Sequence, residues 1–404
     1  MLLFGEIVFV FAVARLTWRD AGHTTTARED DLYRRLSRIG AWSLALSFVS
    51  GALWLGAEAG VMSGLPFDQA IGGDTLGLVL GKTAFGRLWL LRFALCIALG
   101  ALLLALERSE GDTRKSRVAT AILFIAATYL ASLAWAGHAA AGQGRDRFIQ
   151  LTSDAVHLLA AGAWLGALPA FATSLGKALP LEVIVQVTRR FSILGVISVG
   201  ALVLSGVVNT WYLAGDVPAL LGTDYGRLLL AKIALFAAMV ALAAVNRFDL
   251  TPRLAAEDHS ALRSLRRNAV LEIAAGVAVV TIVGALGITI PAAHVTPAWP
   301  FDHTLSWEPA EESAAIRTAV VAAAALACTG AAVALRGMWR RRARLWAGAL
   351  VITAAAAISG SLLAVPAYPT TYVAPPVPYS VDAIVRGASL YREHCSTCHG
   401  AGDH

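Results

Sequence analysis

Long apolar runs broken by short polar connections make up most of this sequence. Ten such runs cover approximately residues 1–18, 38–59, 87–107, 118–140, 150–174, 190–214, 226–246, 268–290, 314–336 and 345–366. Most are as long as a helix needs to cross a hydrocarbon layer about 30 Å thick. Within the runs apolar residues are continuous rather than alternating with polar ones, the pattern of a buried or lipid-embedded helix. Backbone amides in lipid must be satisfied internally, so only helices or a closed barrel can span it. The pattern predicts an all-α polytopic membrane protein with about ten transmembrane helices.

The first run is unusual. Only 14 residues precede Arg15, with Glu6 among them. At about 1.5 Å of rise per residue this falls short of a full crossing. The expectation is that the outer half of this helix lies upstream of Met1.

The polar connections alternate in charge. Those following odd-numbered runs carry 23 Lys or Arg residues, against 6 in those following even-numbered runs. Basic loops stay cytoplasmic, so both termini and the connection between the fourth and fifth runs are expected on the outer face.

The runs also repeat. Residues 34–60 align without gaps on 189–215, sharing Arg-Arg-x-Ser at Arg34 and Arg189, Ser50-Gly51 with Ser205-Gly206, and Gly60 with Gly215. Phe85-Gly86-Arg87-Leu88 matches Tyr225-Gly226-Arg227-Leu228, and five residues after each Arg comes a second cation, Arg92 or Lys232. Leu3-Phe4-Gly5 is similar to Trp164-Leu165-Gly166. The first eight runs therefore form two parallel four-helix repeats, about residues 1–142 and 150–292. Arg92 and Lys232 are expected to snorkel toward the outer interface. Residues 293–366 add two helices, 367–380 form a proline-rich linker, and 381–404 begin a further module.

Composition adds one constraint. The chain is 57% hydrophobic and 15% charged, with a mean hydropathy of +0.65, where a soluble domain carries about 25% charge. The net charge of +6 resides mainly in the loops, where it sets orientation. It does not point to nucleic acid. Cys96 and Cys328 fall in apolar runs and read as small hydrophobes.

Two places carry chemistry. In Gly137–Gly166 one apolar run ends at Gly137-His138, and the next begins with Asp154 and His157, three residues apart and so on one helical face. Ionisable groups inside a span are costly and are functional candidates, although satisfied interfacial residues are the simpler alternative. Imidazole suits copper. His138 and His157 form the best pair, with Asp154 a third ligand or the acceptor that orients His157. Met62 and Glu58 are weaker cation candidates. Two His on adjacent helices suit haem b equally well.

The second place is Cys395-Ser396-Thr397-Cys398-His399, the CxxCH signature of c-type haem attachment. Two thiols at this spacing can bond covalently to haem and the adjacent His can ligate its iron. A zinc site would want a second Cys pair, and a redox motif a βαβ setting. The preceding Ala388–Cys395 segment resembles the first helix of class I cytochromes c. That resemblance implies haem attachment outside the cytoplasmic membrane, where the loop charges independently place this end. No Met follows His399, so the cytochrome module is expected to be incomplete at His404.

Gly137-His138-Ala139, Asp154-x-x-His157, Trp164-Leu165-Gly166, Arg190-Phe191-Ser192, Ser205-Gly206 and Gly226-Arg227-Leu228, in this order, resemble the copper resistance protein D (CopD) family over about residues 1–292. The resemblance implies a bacterial inner-membrane protein that moves or tolerates copper, working beside periplasmic copper-binding or electron-transfer proteins. The alternative is a membrane electron carrier in which haem b, held by His138 and His157, feeds the terminal haem c. A scaffold without metal is the third reading. No GxSxG, HExxH or phosphate loop is present, and no enzyme is expected.

Overall fold

The computed structural model describes the chain except residues 21–25, 138–143, 177–178, 296, 341, 368–379 and 401–404, and side chains except those of 19–32, 112, 332 and 335–345. It is helical nearly throughout. The chain divides into two compact units. The first comprises Met1–Gly215 and Ala219–Pro297, the second Asp216–Pro218 and Ala298–His404.

In the first unit α1 (Leu2–Phe9) runs through a π-helical turn, Val10–Ala14, into α2 (Arg15–Asp20). Next come α3 (Thr26–Ser63), the short α4 (Phe67–Ala70) and α5 (Gly73–Lys82), then α6 (Ala84–Glu107) and α7 (Asp112–Ala131). The second repeat follows as α8 (Gly144–Leu165), α9 (Leu168–Ser174), α10 (Leu181–Ala214), α11 (Val217–Gly222), α12 (Asp224–Val245), α13 (Thr251–Ala255) and α14 (His259–Ile288). Among the described residues nine helical stretches are long and apolar enough to cross a membrane. The tenth rod, Leu2–Asp20, is the short one expected from the sequence. Large apolar side chains face outward along these rods, with Trp42, Leu204 and Phe124 all more than half exposed. A lipid-embedded surface requires that arrangement, and an aqueous one would penalise it.

The two repeats pack alike. In the first, α1 touches α3 and α7, α3 touches α6, and α6 touches α7. In the second, α8 touches α10, α9 touches α14, α10 touches α12, and α12 touches α14. The repeated Gly-Arg-Leu has a local cause. Thr83 caps α6 by accepting from the Gly86 amide at 2.8 Å, and Thr223 caps α12 through Gly226 at 3.0 Å. A Cβ on Gly86 would come within 2.0 Å of the Val79 carbonyl, and one on Gly226 within 2.2 Å of that of Leu220. Only glycine lets the helix start lie against the short helix before it.

The repeats meet at another equivalent pair. A Cβ on Gly5 would lie 2.1 Å from the carbonyl carbon of Gly166, and one on Gly166 2.3 Å from the Met1 carbonyl oxygen. Thus α1 and α8, the same helix in the two repeats, cross at the same glycine. Close backbone approach through small residues is how helices associate in lipid. At the basic end, arginines tie elements together. Arg35 donates to Thr173 and to the Pro169 carbonyl, Arg266 to the Leu175 carbonyl, and Arg247 to Ser192 at 2.7 Å.

In the second unit α15 (Glu308–Glu312) precedes a hairpin of α16 (Ala314–Arg340) and α17 (Arg342–Leu363). Their backbones touch where a Cβ on Gly348 would come within 2.5 Å of the Gly330 carbonyl. A small antiparallel pair, β1 (His303–Leu305) with β2 (Ala364–Pro366), closes the end of this hairpin. Cys328 is exposed on α16, in contrast to the buried Cys96. The chain is then described again at α18 (Val381–His394) and the single turn α19 (Ser396–His399).

Candidate functional site

Asp154 and His157 lie on α8 facing α10. Each is fixed by a different residue of that helix. Asn209 Nδ2 donates to Asp154 Oδ1 at 2.7 Å. The ring Nδ1 of His157 lies 2.9 Å from Ser205 Oγ, and Ser205 Oγ in turn donates to the Ala201 carbonyl at 2.6 Å. With its hydroxyl hydrogen committed there, Ser205 accepts from His157, so Nδ1 carries the proton and Nε2 keeps its lone pair. Ser153 Oγ donates to the Ser205 carbonyl at 3.0 Å. Gly206 leaves room beside the imidazole, since an added Cβ would sit 3.8 Å from Cε1.

The sequence fixes this register through the repeated Ser205-Gly206. Ser205 and Asn209 are four apart, as are Ser153 and His157, so each pair shares a helical face. Lys232 on α12 completes the local charge set. It is near enough to Asp154 and His157 for its charge to act on both. Asp154 and His157 are half-buried. The result is one carboxylate and one imidazole with an available ring nitrogen, each held by a neutral side chain of the neighbouring helix.

His138 lies outside the described residues. Glu58 and Met62, on α3 in the first repeat, share no hydrogen bond or ion pair with Asp154 or His157 among the described residues; Met62 is exposed and Glu58 half-buried. No group of three or more His, Cys, Asp or Glu side chains is gathered at one point among the described residues.

Arg92 departs from the snorkelling expectation. It is only 4% exposed. Its Nη1 donates to Ser132 Oγ at 2.6 Å and to the Tyr129 carbonyl at 2.9 Å. Its guanidinium lies 4.9 Å from the Trp89 ring centre and 4.4 Å from that of Tyr129. Two aromatic faces and two oxygens inside the bundle hold the planar cation more effectively than a reach to the interface would.

The thiols of Cys395 and Cys398 and the ring of His399 are all exposed at the α18–α19 junction. Tyr391 Oη lies within hydrogen-bonding reach of the carbonyls of His399 at 3.3 Å and Gly400 at 3.1 Å, folding the motif back on α18. Two free thiols one turn apart with an adjacent imidazole are the donor set that covalent haem attachment uses.

Sequence reasoning missed Ser205 and Asn209 as the groups that hold the pair, although Ser205 was visible as a repeated residue. It also missed a buried polar cluster at the basic end of α12. Asn246 Nδ2 donates to Glu272 Oε1 at 2.7 Å, and Asn268 Nδ2 donates to Asn246 Oδ1 at 2.8 Å. The available signal was the intervals Tyr225, Lys232, Met239 and Asn246, each of seven residues and so on one helical face.

The first unit matches two family models. One, described as the N-terminal domain of copper resistance protein D-like proteins, covers residues 1–148, and the other, described as copper resistance protein D, covers 185–286. Asp154 and His157 fall between the two matched segments. A protein named copper resistance protein D from Pseudomonas syringae pv. tomato is 33% identical over 306 residues, 72% of this chain and 93% of that protein. The inner membrane protein YebZ of Escherichia coli (strain K12) is 30% identical over 293 residues, 72% of this chain and 94% of its own length. The copper transport protein CutJ of Bacillus subtilis (strain 168) is 26% identical over 222 residues, 54% of this chain and 40% of its own length. No solved structure matches. Two relatives matched over nearly their whole length at 33% and 30% identity, and matches to both family models, place this chain in the copper resistance protein D family.

Proposed function

We propose that this protein binds copper ions at Asp154 and His157 and passes them across the bacterial inner membrane through its second repeat. The observation that carries this reading is the fixing of both side chains by α10, Asp154 by Asn209 and His157 by Ser205. A protonated Nδ1 bonded to Ser205 leaves Nε2 as a metal ligand, the usual division of labour in an imidazole site. The carboxylate adds charge and an oxygen donor. The names of two relatives, copper resistance protein D and copper transport protein, support copper as the ion. The excess of Lys and Arg in alternate loops supports an orientation with this pair and both termini on the periplasmic face. In that setting the ion would come from periplasmic copper-binding proteins. The protein is read as a carrier and not as an enzyme.

The terminal motif is read as a c-type haem site. Cys395 and Cys398 would hold the haem through thioethers, and His399 would ligate its iron. The group would supply one-electron redox chemistry when bound. Exposure of all three donors on one turn supports the fit.

Metal and haem analysis of the full-length protein tests both statements. Purified wild-type protein should hold copper, and His157→Ala and Asp154→Asn should each lower bound copper at least tenfold at low copper. Unchanged copper content in both variants would refute the site. A pyridine haemochrome spectrum should show haem c alone. Haem b in addition would favour an electron-transfer role for the His residues of the bundle.

A further inference from the structure

The second repeat carries more polarity than its candidate site uses. Seven residues beyond Lys232 on α12, and so on the same face, lies Met239, 1% exposed. Seven further lies Asn246, 8% exposed. Each interval is about 10 Å of rise along the helix. Met239 packs on α14 where that helix is thinned by Gly276; a Cβ there would sit 3.8 Å from the methionine methyl group and 3.4 Å from Leu165 Cδ2. One turn from Gly276 toward the basic end, on the same face, is Glu272, 2% exposed. Thioether and carboxyl are therefore successive groups down one line, separated by about 6 Å of rise.

Glu272 is built in with care. Its Oε1 accepts from Asn246 Nδ2 at 2.7 Å, and Asn246 is aligned by Asn268 at 2.8 Å. Asn246 also opens the π-helical turn Asn246–Leu250, and its carbonyl accepts from Thr251 Oγ1 at 2.6 Å. Single π turns inside α-helices occur often at functional sites. None of the ion pairs among the described residues includes Glu272. A carboxyl in a lipid-embedded core, held by neutral amides and not by a basic side chain, is a place for a cation that arrives from elsewhere. Among the described residues the first repeat has no such line. Leu99 and Leu106 occupy the positions of Met239 and Asn246, and both are fully buried among apolar neighbours.

We propose that Met239 and Glu272, with Asn246 and Asn268 holding the carboxyl, form a second cation station on the same path, receiving copper from the Asp154–His157 pair and releasing it toward the basic end. This rests on the reading of the second repeat as a copper path. The thioether suits the soft Cu(I) ion at the centre of the bundle. The carboxylate balances the ion's charge one turn further on. The two stations lie along α8, α12 and α14 of one repeat, with no residue of the first repeat required.

The test compares four full-length proteins in sealed vesicles given copper ions alone: wild type, His157→Ala, Glu272→Gln and Met239→Leu. Gln keeps the partner of Asn246 and removes the charge. Leu keeps the volume of Met and removes the sulfur. The expected result is copper entry at least tenfold slower in Glu272→Gln and Met239→Leu, with copper still bound near the wild-type level and an unchanged unfolding temperature. His157→Ala should lose bound copper as well as entry. Entry within twofold of wild type in both inner variants would overturn the second station while leaving the outer site standing. So would wild-type protein that binds copper and passes none, or a loss of entry that merely follows a loss of folded protein. Wild-type protein that binds no copper would instead sink the reading on which this one rests. If Glu272→Gln does not fold, Met239→Leu alone decides.

Discussion

Where the second repeat has Lys232, the first has Arg92, and the two cations serve different ends. Arg92 is clamped by Ser132, the Tyr129 carbonyl and two aromatic rings. Lys232 lies within electrostatic reach of a carboxylate and an imidazole. Ser50 and Ser205 are repeat equivalents, yet Ser50 is exposed and among the described residues bonds within its own helix, to the Ser47 carbonyl at 3.4 Å, while Ser205 holds His157. Leu99 and Leu106 stand against Met239 and Asn246. The duplicated backbone keeps the threonine caps of its third helices and its close glycine approaches in both halves. Among the described residues the linked amides and carboxyl of Asn246, Asn268 and Glu272 are buried in the second, whereas the first buries Glu6 and Arg92. A four-helix unit can be copied for packing and then diverge in what it places inside, because packing depends on a few small residues and the chemistry on others.

The shared part is the more fragile. Gly5→Val would push a branched side chain into the Gly166 backbone, where even a Cβ lies 2.1 Å from a carbonyl carbon. Such overpacking costs about 3 kcal/mol, and the folded fraction in detergent should fall sharply by size-exclusion chromatography. Gly206→Ala, whose Cβ would lie 3.8 Å from the nearest atom, should keep wild-type yield. Equal yields would mean that the repeats do not associate through their equivalent glycines.

The divergent part is probed by exchanging the cations for a neutral side chain. Arg92→Met removes two charge-assisted hydrogen bonds and two ring contacts, a loss of about 3 kcal/mol. Its unfolding temperature should drop by several degrees while the folded protein keeps its copper. Lys232→Met should shift stability less and copper content more. The reverse pattern in thermal unfolding and metal analysis would mean that the roles of the two residues have been exchanged.

Much of this was legible in the sequence. Run lengths gave the helices, and Phe85-Gly86-Arg87-Leu88 with Tyr225-Gly226-Arg227-Leu228 gave the duplication, because a steric demand for glycine leaves a fixed mark on the chain. Asp154 and His157 were visible because ionisable groups stand out in an apolar run. Ser205, Asn209 and Asn268 were not, because their roles depend on which helix lies opposite, and one helix's periodicity does not specify its partner. Arg92 misled for a related reason. A cation five residues inside a span can reach the interface or turn inward, and the choice depends on Tyr129 and Ser132, some forty positions along the chain. Met239 resembled any apolar residue until Glu272 appeared beside its line.

The smallest difference between the repeats lies at the start of their fourth helices. In the first, α7 is entered from Gly111 at φ +81° with no side-chain cap. In the second, Asp258 caps α14, accepting from the Ser260 amide at 2.9 Å and its hydroxyl at 2.6 Å, with Arg253 at 2.7 Å. Ser260's hydroxyl first, then Arg253 and the Ser260 amide, hold the Asp258 carboxyl down to about 2. A carboxyl whose folded value is depressed adds stability that is fully present above its ordinary value of about 4 and is lost as pH falls through the folded one. Asp258→Asn keeps a capping oxygen and discards the charge. It should therefore unfold at a slightly lower temperature than wild type at pH 6, and the gap should close as pH falls from about 4 toward 2. A gap unchanged across that range would mean that the carboxylate's charge contributes nothing, and that the caps of the two fourth helices differ in shape alone.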